Sequence, residues 1–394
     1  MENYKLYSTL NNDGYEVTRA IVSGRAIAGN YLALMAAVNK NAPNAKGICV
    51  VKADAYGHTN EICAPALAEV GCRRFAVSSI AEAVALRNIL DRAGYPDVFI
   101  LILGYTAPAH VHLLTKYKIT QCVFSSEYAK MLNEAADGVV DVHIKLDTGM
   151  NRLGFRAQSE EENILAAEEI LKVAKLENLN ITGMFTHFSC ADCLTDNGDD
   201  FTRGQYKNFI SVDRELEKRG VKIPFRHVCN SAGAIRFPEF ALEGVRLGIV
   251  LYGGAEDVSD SPEIRPVMRL ESRVSHVHTL KEGDAAGYGA EFVAQRDTRL
   301  ITIPIGYADG FFRRYSGASI KVITKSGERE VKIVGRVCMD QCLADATGTD
   351  ADVGDRVVLF GDTRERLEEL AKLAGTIDYE CLCGISARVP RIPE

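Results

Sequence analysis

The sequence has no tryptophan and no apolar stretch long enough to cross a membrane. Its longest strongly apolar run, at 98–103, is far shorter than the roughly 20 residues that a membrane-spanning helix needs. The segment 1–13 is polar and lacks both the basic start and the apolar centre of a secretory signal peptide. We therefore expect a cytoplasmic protein that does not bind membranes.

Basic residues are not in excess, and they form no cluster along the chain. The formal net charge is -7 at pH 7, with 46 lysines and arginines against 53 aspartates and glutamates. Proteins that bind nucleic acid usually concentrate positive charge, because phosphate contacts supply much of their affinity. The charge pattern therefore argues against a nucleic-acid partner.

Cysteine spacing shows no disulfide framework. The chain has 11 cysteines, an odd number, so reduced thiols are the simplest expectation. Cys190 and Cys193 follow His187 at a spacing compatible with a metal site. A structural zinc ion needs four ligands, however, and Cys229 is the only further candidate on a comparable strand end. We predict no metal.

Apolar runs rich in β-branched residues alternate with helical patterns through the first part of the chain. Eight such strands predict a parallel (β/α)8 barrel, because parallel pairing requires right-handed crossovers and strands buried on both faces. A doubly wound open sheet is the alternative, but no glycine-rich dinucleotide motif follows the first strand. Strands are predicted at 47–52, 75–79, 98–104, 119–124, 140–147, 181–188, 225–230 and 245–252, and helices at 26–38, 80–90, 127–135, 160–176 and 201–218.

After about Pro262 the pattern changes to alternating β-branched residues and turn glycines, which is typical of an antiparallel β domain. A length of 394 residues also favours two domains. We expect a segment at 1–25 that packs with the β domain, a barrel at 26–262 and the β domain at 263–394. Within that domain, strands are predicted at 269–277, 300–305, 319–323, 331–337, 356–360 and around Cys381 and Cys383, and a helix at 364–373.

The first barrel strand leads directly to Lys52. A lysine at the carboxyl end of a buried strand lies where barrels place their chemistry. Tyr56 and His58 follow in the adjoining polar turn, so a hydroxyl and an imidazole lie close to the amine in sequence. Taken alone, a lysine at this position is more typical of a strand-end residue that reaches solvent than of a reactive amine.

Other barrel strands also end in polar residues. The fifth ends near Lys145 and leads to Arg152, the sixth ends at His187, the seventh at Asn230 and Ser231, and the eighth carries Arg246 and Gly248. Each has a structural explanation of its own, such as a core histidine or an arginine paired with a carboxylate. Because these strand ends meet at one face of a barrel, together they predict an active site.

Several segments resemble motifs of the alanine racemase family, and they occur in the family's order. They include Lys-Ala-Asp-Ala-Tyr-Gly-His at 52–58, Asp-Thr-Gly-Met-Asn-Arg-Leu-Gly at 147–154 and Arg-Leu-Gly-Ile-Val-Leu-Tyr-Gly at 246–253. The others lie at 186–188, 230–232, 288–289, 305–310, 337–341 and 388–391. The resemblance implies a barrel enzyme with a β domain that uses pyridoxal phosphate and forms a homodimer with composite active sites.

The resemblance also implies individual roles. Lys52 anchors pyridoxal phosphate covalently and acts as one of two opposed bases, and Tyr288 of the partner subunit is the other. The cofactor is held by Tyr56, His187, Asn230, Ser231, Arg246, Gly248 and Ile249, with Arg246 facing the pyridine nitrogen. Arg152 and, from the partner subunit, the backbone amide of Met339 receive the carboxylate of a small amino acid. Lys145 is a candidate for carbamylation, although an ordinary lysine is an equal alternative.

Two positions depart from the family pattern. Asn151 stands where glycine is common, and Ala387 stands where many members have a tyrosine. The loss of that tyrosine opens space beside the substrate side chain, so serine is expected as a second substrate. Three other functions stay open: a racemase for another amino acid such as serine or lysine, a non-catalytic pyridoxal phosphate carrier, and a decarboxylase of related architecture.

Overall fold

A computed structural model describes residues 17–254 and 262–394 of the chain. Most of the predicted segment 1–25, including the polar stretch at 1–13, and the end of the predicted barrel segment lie outside these residues. No helix in the described ranges is long and apolar enough to span a membrane.

The larger part of the structure, which contains most of the helices, is a parallel barrel, as predicted. Its strands follow the order β10-β2-β3-β4-β5-β6-β8-β9, and the backbone amide of Arg246 donates to the carbonyl of Cys229 at 3.0 Å where the two ends of the sheet meet. Strand β7 (Phe155–Arg156) pairs only with β6. The barrel strands are β2 (Lys46–Val50), β3 (Arg74–Val77), β4 (Phe99–Ile102), β5 (Thr120–Val123), β6 (Val140–Asp147), β8 (Leu179–Phe185), β9 (Arg226–His227) and β10 (Gly244–Leu247).

Helices surround the barrel, and several of them begin at hydroxyl side chains. Ser79, Ser125, Ser159 and Thr195 each accept a hydrogen bond from a backbone amide in the first turn of the helix that follows. Such caps satisfy amides that have no partner within the helix. The helices are α1 (Gly24–Asn41), α2 (Asn60–Glu69), α3 (Ile80–Arg92), α4 (His112–Lys116), α5 (Ser126–Ala135), α6 (Glu160–Val173), α7 (Asp196–Lys218) and α8 (Ser231–Arg236).

The second part is mostly β structure, as predicted. Its sheet has the order β12-β15-β18-β17-β16-β19-β11-β1-β20. Strand β1 (Arg19–Val22) comes before the barrel in sequence, yet it pairs antiparallel with β11 and parallel with β20. The other strands are β11 (Met268–Arg273), β12 (His276–Leu280), β15 (Thr298–Ile303), β16 (Ser319–Thr324), β17 (Gly327–Val334), β18 (Cys342–Asp345), β19 (Arg356–Phe360) and β20 (Arg391–Pro393), with a hairpin of β13 (Ala285–Ala286) and β14 (Phe292–Val293).

Several predicted strands differ in the structure. The strand predicted at 269–277 is two strands, β11 and β12, and the strand predicted at 225–230 contains only Arg226–His227. The eighth barrel strand ends at Leu247, because the amide of Gly248 donates to Ser231 Oγ and the chain then enters the 3-10 turn Ile249–Tyr252. The region of Cys381 and Cys383 is helix α10 (Asp378–Cys383), which follows α9 (Arg364–Ala374). Acidic residues in its first turn favour the helix, and Cys383 is exposed rather than part of the core.

Candidate active site

One cavity of about 550 Å³ lies at the carboxyl ends of the barrel strands. It contains every site residue that was predicted within the barrel. Tyr379 of α10 also lines it, so the C-terminal region contributes to its wall. The lining residues are Val50, Lys52, Tyr56, Ser78, Leu103, Gly104, Lys145, Arg152, Leu153, Phe185, His187, Asn230, Ser231, Arg246, Gly248, Ile249 and Tyr379.

The amine of Lys52 lies in this cavity, just beyond the end of β2. Burial lowers its pKa below the usual range, and the nearby Arg152 lowers it further, whereas Cys383 and Glu82 act in the opposite direction. A lower pKa increases the fraction of neutral amine near pH 7, and only the neutral amine is a nucleophile. Lys52 is therefore suited to attack a carbonyl group.

The turn after Lys52 has an unusual backbone. Ala53, Asp54, Ala55 and Tyr56 all have positive φ, between 50° and 57°. Four successive residues with side chains in this left-handed conformation are strained, because Cβ crowds the following carbonyl. The turn buries Tyr56 and directs it into the cavity.

Tyr56, Ser231 and Gly248 form a polar cradle at one side of the cavity. The amide of Gly248 donates to Ser231 Oγ at 2.9 Å. A Cβ atom at position 248 would lie 3.1 Å from the Tyr56 hydroxyl and 4.0 Å from Ser231 Oγ. Glycine thus leaves room for a ligand atom between two hydroxyl groups, and this arrangement fits a phosphate group. Asn230 positions Ser231 by capping α8, because its side-chain oxygen accepts from the Gly233 amide at 2.9 Å.

Arg246 is buried at the cavity floor and held by backbone carbonyls. Its Nη1 donates to the carbonyl of His227 at 2.6 Å, and its Nη2 donates to those of Thr186 and Val228 at 2.7 and 3.0 Å. Nη1 also lies 3.0 Å from His227 Nδ1. Burial lowers the pKa of Arg246 to about 10, so the guanidinium is still charged at neutral pH.

His187 and Lys145 lie in the same positive surroundings. The Nδ1 atom of His187 is 3.5 Å from Arg246 Nη2. Burial, followed by the charge of Arg246, holds the pKa of His187 well below its usual range, so the imidazole is neutral. The same two causes lower the pKa of Lys145 to about 7, and its buried Nζ has no hydrogen-bond partner.

Arg152 reaches the cavity from the loop after β6. Asp147 organises this loop, because its Oδ1 accepts the amides of Gly149 and Asn151 at 3.2 and 2.9 Å. Asn151 has a φ of 54°. Asparagine tolerates this conformation better than most residues other than glycine, so Asn151 is compatible with this backbone.

Tyr288 and Met339 are not in the Lys52 cavity. They line a separate, open depression of about 510 Å³ together with Gly287, Cys338, Asp340 and Gln341. Tyr288 is 66% exposed and Met339 is 52% exposed. Ala387 is also exposed and does not line the cavity. Within one chain, therefore, the predicted second base does not meet Lys52.

Several residues at the cavity were missed by sequence reasoning. Phe185 lies under Lys145, with 5.1 Å between the ring centroid and Nζ. An aromatic residue near the end of a buried strand is common, so nothing in the sequence marked Phe185 as a site residue. Tyr379 was missed because its segment was interpreted as a strand. Among the residues that the structure describes, no three His, Cys, Asp or Glu side chains are grouped to hold a metal ion, and Cys190 and Cys193 are free thiols.

The fold and the cavity define a class: a barrel enzyme with a nucleophilic lysine at a strand end and an anion cradle beside it. Comparison with known proteins identifies the family. Residues 22–256 match the N-terminal domain of alanine racemase, and residues 267–393 match its C-terminal domain. The chain belongs to the alanine racemase family of enzymes.

Individual relatives agree with this assignment. The chain is 40% identical over 355 residues to a protein named alanine racemase from Clostridium tetani, with 88% of each chain covered. A solved structure of alanine racemase from Clostridium difficile 630 is 36% identical, with a TM-score of 0.85 and 96% of each chain covered. A histidine racemase from Leuconostoc mesenteroides is 29% identical, with a TM-score of 0.81 and coverage of 96% of this chain and 98% of that one.

Proposed function

We propose that this protein is an alanine racemase that interconverts L-alanine and D-alanine with pyridoxal phosphate anchored on Lys52, and so supplies D-alanine for peptidoglycan. The observation that carries the proposal is the meeting of the Lys52 amine, the cradle of Tyr56, Ser231 and Gly248, and the Arg246 guanidinium in one cavity. The names of the relatives support alanine as the substrate. The free thiols support a reducing compartment, and we infer the cytoplasm.

The residues of the cavity fit the proposed cofactor at both of its ends. The cradle of Tyr56, Ser231 and Gly248, extended by Ile249, would hold the phosphate group, and Lys52 would bind the aldehyde carbon. When bound, pyridoxal phosphate lets the charge left by removal of the α-proton spread into its ring. Arg246 would face the pyridine nitrogen, and because a guanidinium only donates hydrogen bonds, that nitrogen would remain unprotonated.

Racemisation needs one proton carrier on each side of the α-carbon. Lys52 would serve one side once substrate has displaced it, and its lowered pKa supports this role. Tyr288 of the partner subunit would serve the other side. The high exposure of Tyr288 on a surface away from the cavity supports this arrangement, so we propose a homodimer with two composite sites.

The substrate carboxylate would bind between two subunits as well. Arg152 lines the Lys52 cavity, and its planar guanidinium suits a carboxylate. Met339 of the partner subunit would add its backbone amide. His187 would remain neutral behind the reacting groups, since its pKa is held low by burial and by Arg246.

Racemase activity is tested with the purified protein, added pyridoxal phosphate and L-alanine, followed by chiral chromatography. We expect D-alanine to appear until both enantiomers are equal. Lys52→Ala and Tyr288→Phe should each abolish this, and mixing the two inactive proteins should restore activity, because a mixed dimer contains one site with both residues. Lack of recovery on mixing would contradict the shared site while leaving the racemase activity of the unaltered protein intact.

The second candidate is a racemase for another amino acid, because a histidine racemase shares the fold over 96% of this chain. A panel of L-serine, L-lysine, L-histidine and L-alanine separates the two. If any other amino acid exceeds alanine in kcat/KM, the substrate assignment is wrong. A non-catalytic pyridoxal phosphate carrier would invert none of them.

A further inference from the structure

The left-handed turn after Lys52 needs an external support. Its residues Ala53–Tyr56 carry side chains and have φ between 50° and 57°, a conformation that L-residues avoid. Such strained backbone persists only where surrounding contacts determine it. Because Lys52 directly precedes the turn and Tyr56 ends it, the positions of both groups depend on those contacts.

The support at the start of the turn is the carboxylate of Glu82. One carboxylate oxygen, Oε1, accepts the backbone amide of Ala53 at 2.8 Å, and the other, Oε2, accepts that of Ser78 at 2.7 Å. Ala53 follows the end of β2, and Ser78 follows the end of β3. Glu82 therefore joins two adjacent strand ends next to the reactive lysine.

This arrangement differs from the one that the local sequence suggests. Ser79 and Glu82 have the spacing of a helix capping box, in which the glutamate would bind the backbone amide of the capping residue itself. Ser79 does cap α3, because its Oγ accepts the Glu82 amide at 3.3 Å. The Glu82 carboxylate, however, is directed away from Ser79 and binds Ser78 and Ala53 instead.

Other contacts hold later parts of the turn. The amide of Asn60 donates to Asp54 Oδ1 at 2.7 Å, and the His58 ring lies 3.0 Å from the carbonyls of Ala55 and Tyr56. Arg391 Nε donates to the carbonyl of Gly57 at 2.8 Å. Glu82 is distinct from these because it binds the residue adjacent to Lys52.

We propose that Glu82 is a positioning residue for Lys52: its carboxylate fixes the first amide of the left-handed turn and thereby sets where the lysine amine lies in the cavity. This inference rests on the proposed racemase function for its kinetic consequence. The charge of Glu82 also lies near the Lys52 amine and partly opposes the lowering of its pKa that burial and Arg152 cause. Removal of the carboxylate would then change both the location and the basicity of the amine.

The main test is Glu82→Gln, which keeps the size of the side chain but leaves one of the two amides facing an NH2 group. We expect kcat for alanine to fall about ten- to hundredfold, which is the scale of a misplacement of about 1 Å, with KM changed by less than about threefold. The dissociation constant of pyridoxal phosphate should rise about tenfold, and the Ala53 and Ser78 amides should exchange with deuterium at least about tenfold faster.

Two further variants separate positioning from general stability. Ser79→Ala removes the cap of the same helix but leaves the carboxylate contacts in place, so it should lower Tm and change kcat, cofactor affinity and Ala53 exchange less than about twofold. The double variant with Ala53→Gly and Glu82→Gln should have a kcat about tenfold higher than that of Glu82→Gln alone, because glycine adopts positive φ without strain.

The proposal is overturned if Glu82→Gln leaves the Ala53 amide protected, if Ser79→Ala reproduces its kinetic effect, or if Ala53→Gly gives no recovery. Failure of the proposed function is a separate result. If the unaltered protein racemises no amino acid, cofactor affinity and amide exchange still report whether Glu82 holds the Lys52 turn.

Discussion

His143 Nδ1 lies 2.9 Å from His227 Nε2, beneath Arg246 in the barrel. Arg246 Nη1 lies 3.0 Å from the other nitrogen of His227, and a guanidinium can only donate. His227 must therefore accept at Nδ1 and donate from Nε2 to His143, which fixes both histidines as neutral tautomers. Burial, with nearby arginines, lowers the pKa of His143 to about 3 and that of His227 well below its usual range.

This histidine pair should make the protein sensitive to acid. An unfolded histidine takes up a proton near pH 6.5, whereas folded His143 does so only near pH 3. Between these values the unfolded chain binds more protons, so the free energy of unfolding falls as the pH falls. We expect His143→Gln to reduce this slope by about 1.4 kcal/mol per pH unit in urea titrations between pH 6 and about 4. His110→Gln, at an exposed site, should leave the slope unchanged.

Gly57→Ala should destabilise the protein, because the added methyl group would push the turn after Lys52 away from the C-terminal region. Gly57 has a φ of 81°, and a Cβ there would lie 2.5 Å from the carbonyl oxygen of Leu382. We expect a loss of about 3 kcal/mol in urea unfolding, from backbone strain and overpacking together. Gly94→Ala is the matched control, because its φ is 87° but no atom lies within 4 Å, so it should cost only about 1 kcal/mol. Equal losses would show that the contact with Leu382 is unimportant.

Lys145 should react with carbon dioxide. Its buried Nζ has no partner, and with a pKa of about 7 much of the amine is neutral near pH 7. The reaction forms one N–C bond, releases one proton and creates an anion near Arg246 and Arg152. With 13C-labelled bicarbonate, we expect one carbamate signal per chain by NMR. The signal should vanish in Lys145→Gln and remain in Lys116→Gln, where the lysine is exposed.

Ala387 does not line the Lys52 cavity of its own chain, so the prediction that it permits serine as a second substrate requires that it face the composite site from the partner subunit. A small residue in place of a tyrosine changes discrimination by only about 1 to 3 kcal/mol. We expect the ratio of kcat/KM for serine to that for alanine to exceed about one in ten thousand. Ala387→Tyr should lower this ratio while leaving alanine turnover within about threefold. A ratio unchanged by the tyrosine would remove Ala387 from the list of specificity residues.

The residues of the cavity could be predicted from the sequence because apolar runs show where the barrel strands end. Lys52 and His187 each follow an apolar run, Arg246 lies within one near its carboxyl end, and the parallel barrel places those strand ends at one face. Glu82 was not predictable, since the pattern with Ser79 indicates a capping box and nothing in Ala53 or its neighbours signals a left-handed backbone. Local sequence rules fail at this turn because distant contacts override them, as is common at functional sites.

The contact between Arg391 and Gly57 joins residues 334 positions apart. During synthesis the ribosome completes the barrel strands long before it reaches Arg391, so the turn beside Lys52 lacks this hydrogen bond while the β domain is being made. The last strand, β20, then brings Arg391 to the turn when it pairs with β1. The order of translation thus leaves the turn beside Lys52 without this hydrogen bond until almost all of the barrel and the β domain have been synthesised.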